Sequence, residues 1–119
     1  MIKLIRASCT IAVIFFAPFA VACDYPERTT IPNGSKATKD EMVAGQKGVK
    51  KFMADMEEYL ACIDEEDKLD RAGIEKPDAI VMAQREEMLV KKHNAAVEDM
   101  EKVAARFNEE VRDYKDRKD

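Results

Sequence analysis

Two stripes of apolar residues, separated by a short helix-breaking segment, constrain this fold more than any other feature. The first stripe consists of Met42, Gly45, Val49, Phe52, Met56, Tyr59 and Ile63, with Met53 and Leu60 beside it. The second consists of Val90, His93, Val97, Met100, Ala104, Phe107, Val111 and Tyr114, with Met82, Leu89, Ala96 and Val103 beside it. Alternating steps of three and four residues return to the same face of an α-helix. The sequence therefore predicts two long amphipathic helices.

Local signals set the ends of both helices. Thr38 and Glu41 have the spacing of a capping box, in which each side chain accepts a hydrogen bond from the other residue's backbone N–H. Gly73 followed by Pro77 stops one helix and allows the next to begin. We predict helices over about 38–71 and 78–116.

The two helices belong to one helical unit that spans residues 38–119, and the turn between them lies near residues 72–77. Long helices joined by a short turn run antiparallel. The expected fold class is therefore all-α, a coiled-coil-like antiparallel two-helix hairpin. In that arrangement Phe52 is expected near Val97, and Met42 near Phe107.

The first 22 residues have the order of a secretory signal peptide. Lys3 and Arg6 form a basic start, residues 11–17 form a short apolar stretch, and Ala20-Val-Ala22 matches an A-x-A cleavage signal. A transmembrane helix needs about 20 apolar residues, so this stretch is too short to span a membrane. No second apolar run of that length follows. We predict export to the periplasm or secretion, with no transmembrane span in the mature chain.

The mature chain, residues 23–119, is long enough for one small domain. The 24 acidic residues all lie in it, whereas two of the 20 basic residues lie in the signal peptide, which leaves a net charge of −6. Nucleic-acid-binding proteins carry clustered Lys and Arg residues that neutralise phosphates. Since this surface is acidic and has no basic block, nucleic acid is not an expected partner.

Two cysteines remain after cleavage, Cys23 and Cys62. An even pair in an exported chain indicates a disulfide. Residues 23–37 contain Pro26, Pro32, Asn33 and Gly34, which indicates an extended tail with a turn. Cys62 lies roughly 36 Å along the helix from Thr38, and an extended segment of this length spans roughly 46 Å. The tail can therefore fold back along the hairpin and place Tyr25 and Ile31 on its open side.

Lipidation of Cys23 is the alternative to the disulfide. Ala20-Val21-Ala22-Cys23 resembles a bacterial lipobox, although the third residue before the cysteine is usually Leu and here is Ala20. In this reading Asp24 resembles the residue that retains lipoproteins at the inner membrane. The protein would then be a lipid-anchored adapter, and Cys62 would be left as an unpaired thiol in an oxidising compartment.

One further pattern carries a resemblance. It consists of Cys23, Pro26, Pro32-Asn-Gly34, Ala37-Thr38, Glu41-Met42, Gln46, Val49-Lys50 and Tyr59-Leu-Ala-Cys62. Over about 40 residues this arrangement resembles a group of small exported proteobacterial proteins with no assigned activity. The resemblance implies an exported location and a paired-cysteine layout, and it implies no chemistry.

No residues point to catalysis. His93 is the one histidine and lies on the apolar stripe, and no nucleophile–histidine pairing or phosphate-binding glycine loop accompanies it. We therefore predict that the protein is not an enzyme, has no cofactor and has no catalytic or metal-binding residues. The alternative is a copper site, because thioether and imidazole groups suit Cu(I) and antiparallel pairing brings Met56 near His93.

The stripes are the remaining candidate for function. A two-helix hairpin buries one stripe per helix and leaves its other sides exposed to water. A protein of this size is therefore expected to need a covalent cross-link or a partner. The predicted role is structural or in protein interaction, with an apolar seam presented to an unknown partner or to a second copy in a four-helix bundle. The seam residues are Phe52, Tyr59, Val97, Met100 and Phe107.

Overall fold

The protein is an all-α antiparallel hairpin, as the sequence predicts. The computed structural model describes residues 22–117. Helix α1 spans Lys39–Ala72 and helix α2 spans Ala79–Asp116, and the described residues contain no strand. Contacts between the helices join early residues of α1 to late residues of α2, as an antiparallel pair requires.

The helix ends are fixed by the residues that the sequence indicates. The Thr38 N–H donates to Glu41 Oε2 at 2.6 Å and the Glu41 N–H donates to Thr38 Oγ1 at 3.2 Å, so the predicted capping box is confirmed. Asp78 caps α2 by accepting from the N–H groups of Ile80 and Val81. Gly73 ends α1, and its N–H donates to the Leu69 carbonyl at 3.3 Å. These contacts satisfy backbone groups that a helix leaves unpaired at its ends.

The core lies between the helices and uses a different register of α2 from the predicted one. Phe52 and Met56 of α1 pack in one buried cluster with Ala96 and Val103 of α2. Val97, predicted near Phe52, is instead 42% exposed. The physical reason is that two adjacent heptad positions of α2 are both apolar, the one that contains Ala96 and Val103 and the one that contains Val97 and Ala104. Either position can therefore face α1. The predicted position of Val97 beside Phe52 was therefore wrong, and the adjoining apolar positions of α2, Ala96 and Val103, form the core.

The tail, residues 23–37, lies along the groove between the helices as a third packing element. A disulfide joins Cys23 to Cys62, which confirms the predicted pairing. Tyr25 meets Tyr59 edge to face, with ring centroids 4.9 Å apart, and Ile31 packs against the core cluster. From the level of Cys62 to the start of α1, the groove on this side of the hairpin is therefore covered by the chain itself.

The predicted signal peptide, residues 1–22, lies outside the described residues except for Ala22, and it stays a prediction. Neither of the two helices among the described residues contains a stretch that is long and apolar enough to cross a bilayer.

The disulfide closes a large loop, and its loss should destabilise the hairpin. The two cysteines are 39 residues apart in sequence, a separation for which the chain-entropy model gives about 4 kcal/mol. We expect the paired substitution Cys23→Ser and Cys62→Ser to lower the free energy of unfolding by about 2–4 kcal/mol in urea titrations. Thiol alkylation of the unaltered protein should require prior reduction.

Ala61→Ser is the matched control, because Ala61 precedes Cys62 in α1 and is exposed. That variant should unfold like the unaltered protein. Equal stability of the paired serine variant and the control would show that the tail is held without the covalent link.

Candidate functional site

The tail contacts α2 most closely at Gly34. The Gly34 N–H donates to Glu110 Oε2 at 2.7 Å, and a Cβ on Gly34 would lie 1.8 Å from the Glu110 carbonyl oxygen. The Glu110 side chain is buried and also pairs with Arg106 at 2.6 Å. A buried carboxylate needs such donors, since an unpaired one is costly. Glycine is thus required where the tail crosses the backbone of α2.

Glu110 is the important residue that the sequence interpretation missed. It lies seven residues after Val103 and fourteen after Ala96, in the same heptad position as these two buried residues. A charged residue that continues a buried heptad position is the signal that could have revealed it. Its partner, however, comes from the tail and is not apparent from helix periodicity.

A second polar contact holds the start of the tail. The Tyr25 hydroxyl donates to Asp99 Oδ2 at 2.8 Å, and Arg28 forms an ion pair with the same carboxylate. Loss of water around the phenol, followed by its bond to Asp99, raises the pKa of Tyr25 to about 12. The hydrogen bonds from Tyr25 and then Arg28 lower the pKa of Asp99 below its usual value. At neutral pH the phenol is therefore neutral and the carboxylate charged, as this contact requires.

The opposite side of the hairpin has no tail across it. Tail contacts on α2 fall on Ala95, Asp99 and Glu110. The far side has a groove of about 230 Å³ with no tail residue in its lining. It is lined by Lys39, Met42, Val43, Gln46, Phe107, Val111 and Tyr114. This second groove is a part of the hairpin surface that the tail leaves uncovered.

An apolar stripe continues from this groove along both helices. Positions seven residues apart share a helix face. Steps of seven back from Val111 in α2 and forward from Gln46 in α1 therefore give residues on the same side as the groove. We define the open face by these residues, which are Gln46, Met53 and Leu60 of α1 and Val90, Val97, Ala104 and Val111 of α2. Val90 is 51% exposed and Val97 is 42% exposed. The open face therefore leaves large apolar side chains in contact with water.

The structure separates the predicted seam residues into two groups. Phe52 is fully buried in the core, and Tyr59 lies under Tyr25 of the tail. Met100 and Phe107 are half-buried, and Val97 is exposed. Phe107 lines the same groove as Met42, as predicted. Only the second group is placed where a partner could contact it.

His93 and Met56 lie at different levels of the hairpin. His93 Nε2 lies 2.6 Å from Asp64 Oδ1, and Asp64 is eight residues beyond Met56 in α1, roughly 12 Å along the axis. Met56 is itself completely buried in the core. Among the described residues no group of three or more His, Cys, Asp or Glu side chains is arranged to hold a metal ion. The Met56–His93 pairing that the copper alternative requires is not formed.

Comparisons with protein-family models, with curated proteins and with solved structures return no match to this chain. The resemblance to exported proteobacterial proteins stays a prediction.

The close contact at Gly34 gives a sharp test of the position of the tail. In Gly34→Ala the new methyl group would overlap backbone atoms of Glu110 that cannot move aside without bending α2. We expect a loss of about 2 kcal/mol or more in the free energy of unfolding, because the tail must lift and leave the Glu110 carboxylate without its donor. Gly73→Ala is the control, since a Cβ there meets nothing closer than 3.6 Å. Equal stabilities of the two variants would contradict this placement of the tail.

The Tyr25–Arg28–Asp99 contact predicts a pH dependence with a definite sign. Because the pKa of Asp99 is lowered in the folded protein, its contribution is present above the usual carboxyl pKa of about 4 and is lost as the pH falls below it. The raised pKa of Tyr25 contributes stability that is present below pH 10 and is lost as the pH rises toward about 12.

We expect Asp99→Asn to lower the free energy of unfolding by on the order of 1 kcal/mol at pH 7, since Arg28 is mostly exposed and its ion pair is screened. The difference from the unaltered protein should shrink as the pH falls below about 4. Asp24→Asn, at an exposed tail carboxylate, should show no such pH-dependent difference. An Asp99→Asn deficit of the same size at pH 3 and pH 7 would refute the ionic contact.

Proposed function

We propose that this protein is an exported, periplasmic helical interaction module whose open face binds a helical partner. The observation that carries the proposal is that the two sides of the hairpin differ: the tail covers one groove, whereas the open face retains Val90 and Val97 in water. Helices with an apolar stripe associate by packing that stripe against another helix. The open face has this form, with Val90, Val97, Ala104 and Val111 along α2.

The tail makes the face suitable for binding by holding the hairpin rigid. Cys23, Gly34 and Asp99 connect the tail to both helices through a covalent bond, a backbone contact and an ion pair. A surface that is ordered before binding loses less conformational entropy when a partner docks. The structural role of the tail thus supports a binding role for the opposite side.

The disulfide favours a free periplasmic protein over a membrane-tethered one. A lipid thioether on Cys23 would use the same sulfur atom that bonds to Cys62. Disulfides persist in oxidising compartments such as the periplasm, which supports export. A lipid-anchored adapter would need Cys62 to be unpaired and the tail to be held by its polar contacts alone.

A photo-cross-linking residue at position 97 tests the proposed interaction in living cells. We expect an adduct of defined mass when the cross-linker replaces Val97, because this position faces outward from the open face. Ala105 is the control position, since it is exposed and eight residues on in α2, turned about 80° further around the helix. Absence of an adduct at position 97, or adducts of equal yield at both positions, would contradict the proposal.

A further inference from the structure

We propose that the occupant of the open face is a second copy of this chain, bound antiparallel about a two-fold axis that passes between Met100 and Glu101. The inference rests on the proposed function and adds the identity of the partner and its register. In such a dimer the α2 helices lie against each other, and the α1 helices do the same. The product is a closed four-helix bundle.

The sequence of α2 is self-complementary about this axis. Val97 and Ala104 lie equal numbers of residues on either side of it, so each faces the other in the second copy. The same holds for Val90 and Val111. Further out, Glu86 is matched with Lys115, and both are exposed. The apolar positions therefore pair with apolar positions, and an acidic residue pairs with a basic one.

The same axis brings opposite charges together on α1. Gly45 lies beside the Phe107 ring and Asp64 contacts His93, and interpolation between these two contacts sets the centre of the pattern on α2 against about the middle of the segment from Lys50 to Glu57. Lys50 therefore faces Glu57 of the second copy, and the reciprocal contact repeats across the axis. Both residues are exposed, and neither forms an ion pair within the described chain.

The parallel arrangement is less favourable. With both hairpins pointing the same way, α1 of one copy would lie on α2 of the other, and Lys39 would then approach Lys115 of the second copy. In the antiparallel arrangement the like-charge contacts are between Lys39 and Lys68 and between the two copies of Glu101 at the axis, and the Lys50–Glu57 and Glu86–Lys115 pairs offset them. The overlap covers roughly 48 Å of α2, and both helices of each copy contribute to the interface.

Sedimentation equilibrium of the purified disulfide-bonded protein tests the dimer. We expect twice the chain mass at micromolar concentration and a dissociation constant raised more than about tenfold in Val97→Glu, because a charge would enter an apolar contact twice. Ala105→Glu, with its side chain turned away from the open face, should leave the constant unchanged. Circular dichroism should show that both variants remain helical. A monomer at 100 µM for the unaltered protein would overturn the proposal.

A charge exchange on α1 tests the register. Lys50→Glu should weaken the dimer about five- to tenfold, since two ion pairs become like-charge contacts. Adding Glu57→Lys should restore the affinity, because the pair is then re-formed with reversed signs. In the parallel arrangement Glu57→Lys does not restore the affinity. Failure of Glu57→Lys to restore it would therefore overturn the antiparallel register. Glu101→Gln should tighten the dimer by relieving the contact at the axis.

The interaction module and the dimer can be refuted independently. A monomeric protein that still gives a position-97 adduct of another mass in cells would remove the second copy and keep the interaction module. A monomeric protein with no adduct would remove both.

Discussion

The attachment of the tail to the hairpin is the constraint on which the rest of the structure depends. Two helices in contact along one stripe bury a core of few residues, with Phe52 and Met56 at its centre. For a domain of this size the hydrophobic gain and the ordering entropy nearly cancel. The tail adds Ile31 to this core and is held by the Cys23–Cys62 disulfide. It therefore turns a marginal pair of helices into a three-element fold.

The tail also determines how the sequence of α2 is used. Both neighbouring heptad positions of α2 are apolar, and periodicity alone gives no preference between them. Glu110 breaks the symmetry, because its carboxylate can be buried only where the Gly34 N–H and Arg106 reach it. With Glu110 turned toward the tail, Ala96 and Val103 turn toward the core, and Val97 turns away.

Much of this architecture could be predicted from the sequence, and the failures share one cause. The capping box at Thr38, the breaker at Gly73 and the paired cysteines are local or compositional signals, and each gave the correct result. The position of Val97 was wrong and Glu110 was missed, because both depend on contacts with a tail more than 60 residues away in sequence. Helix periodicity identifies which residues are apolar, but a tertiary contact decides which of two apolar lines is buried.

Covering one groove has a consequence for assembly. A bare two-helix hairpin with apolar stripes on both sides could stack on both, and repeated stacking of that kind gives open-ended aggregates. Because the tail occupies one side and ties Asp99 and Glu110 into polar contacts there, a second copy cannot pack on that side where the tail lies. In the proposed dimer the open face pairs with its own copy, and such an arrangement closes at two copies. On this proposal the disulfide-held tail limits the number of copies that associate, in addition to stabilising the fold of each one.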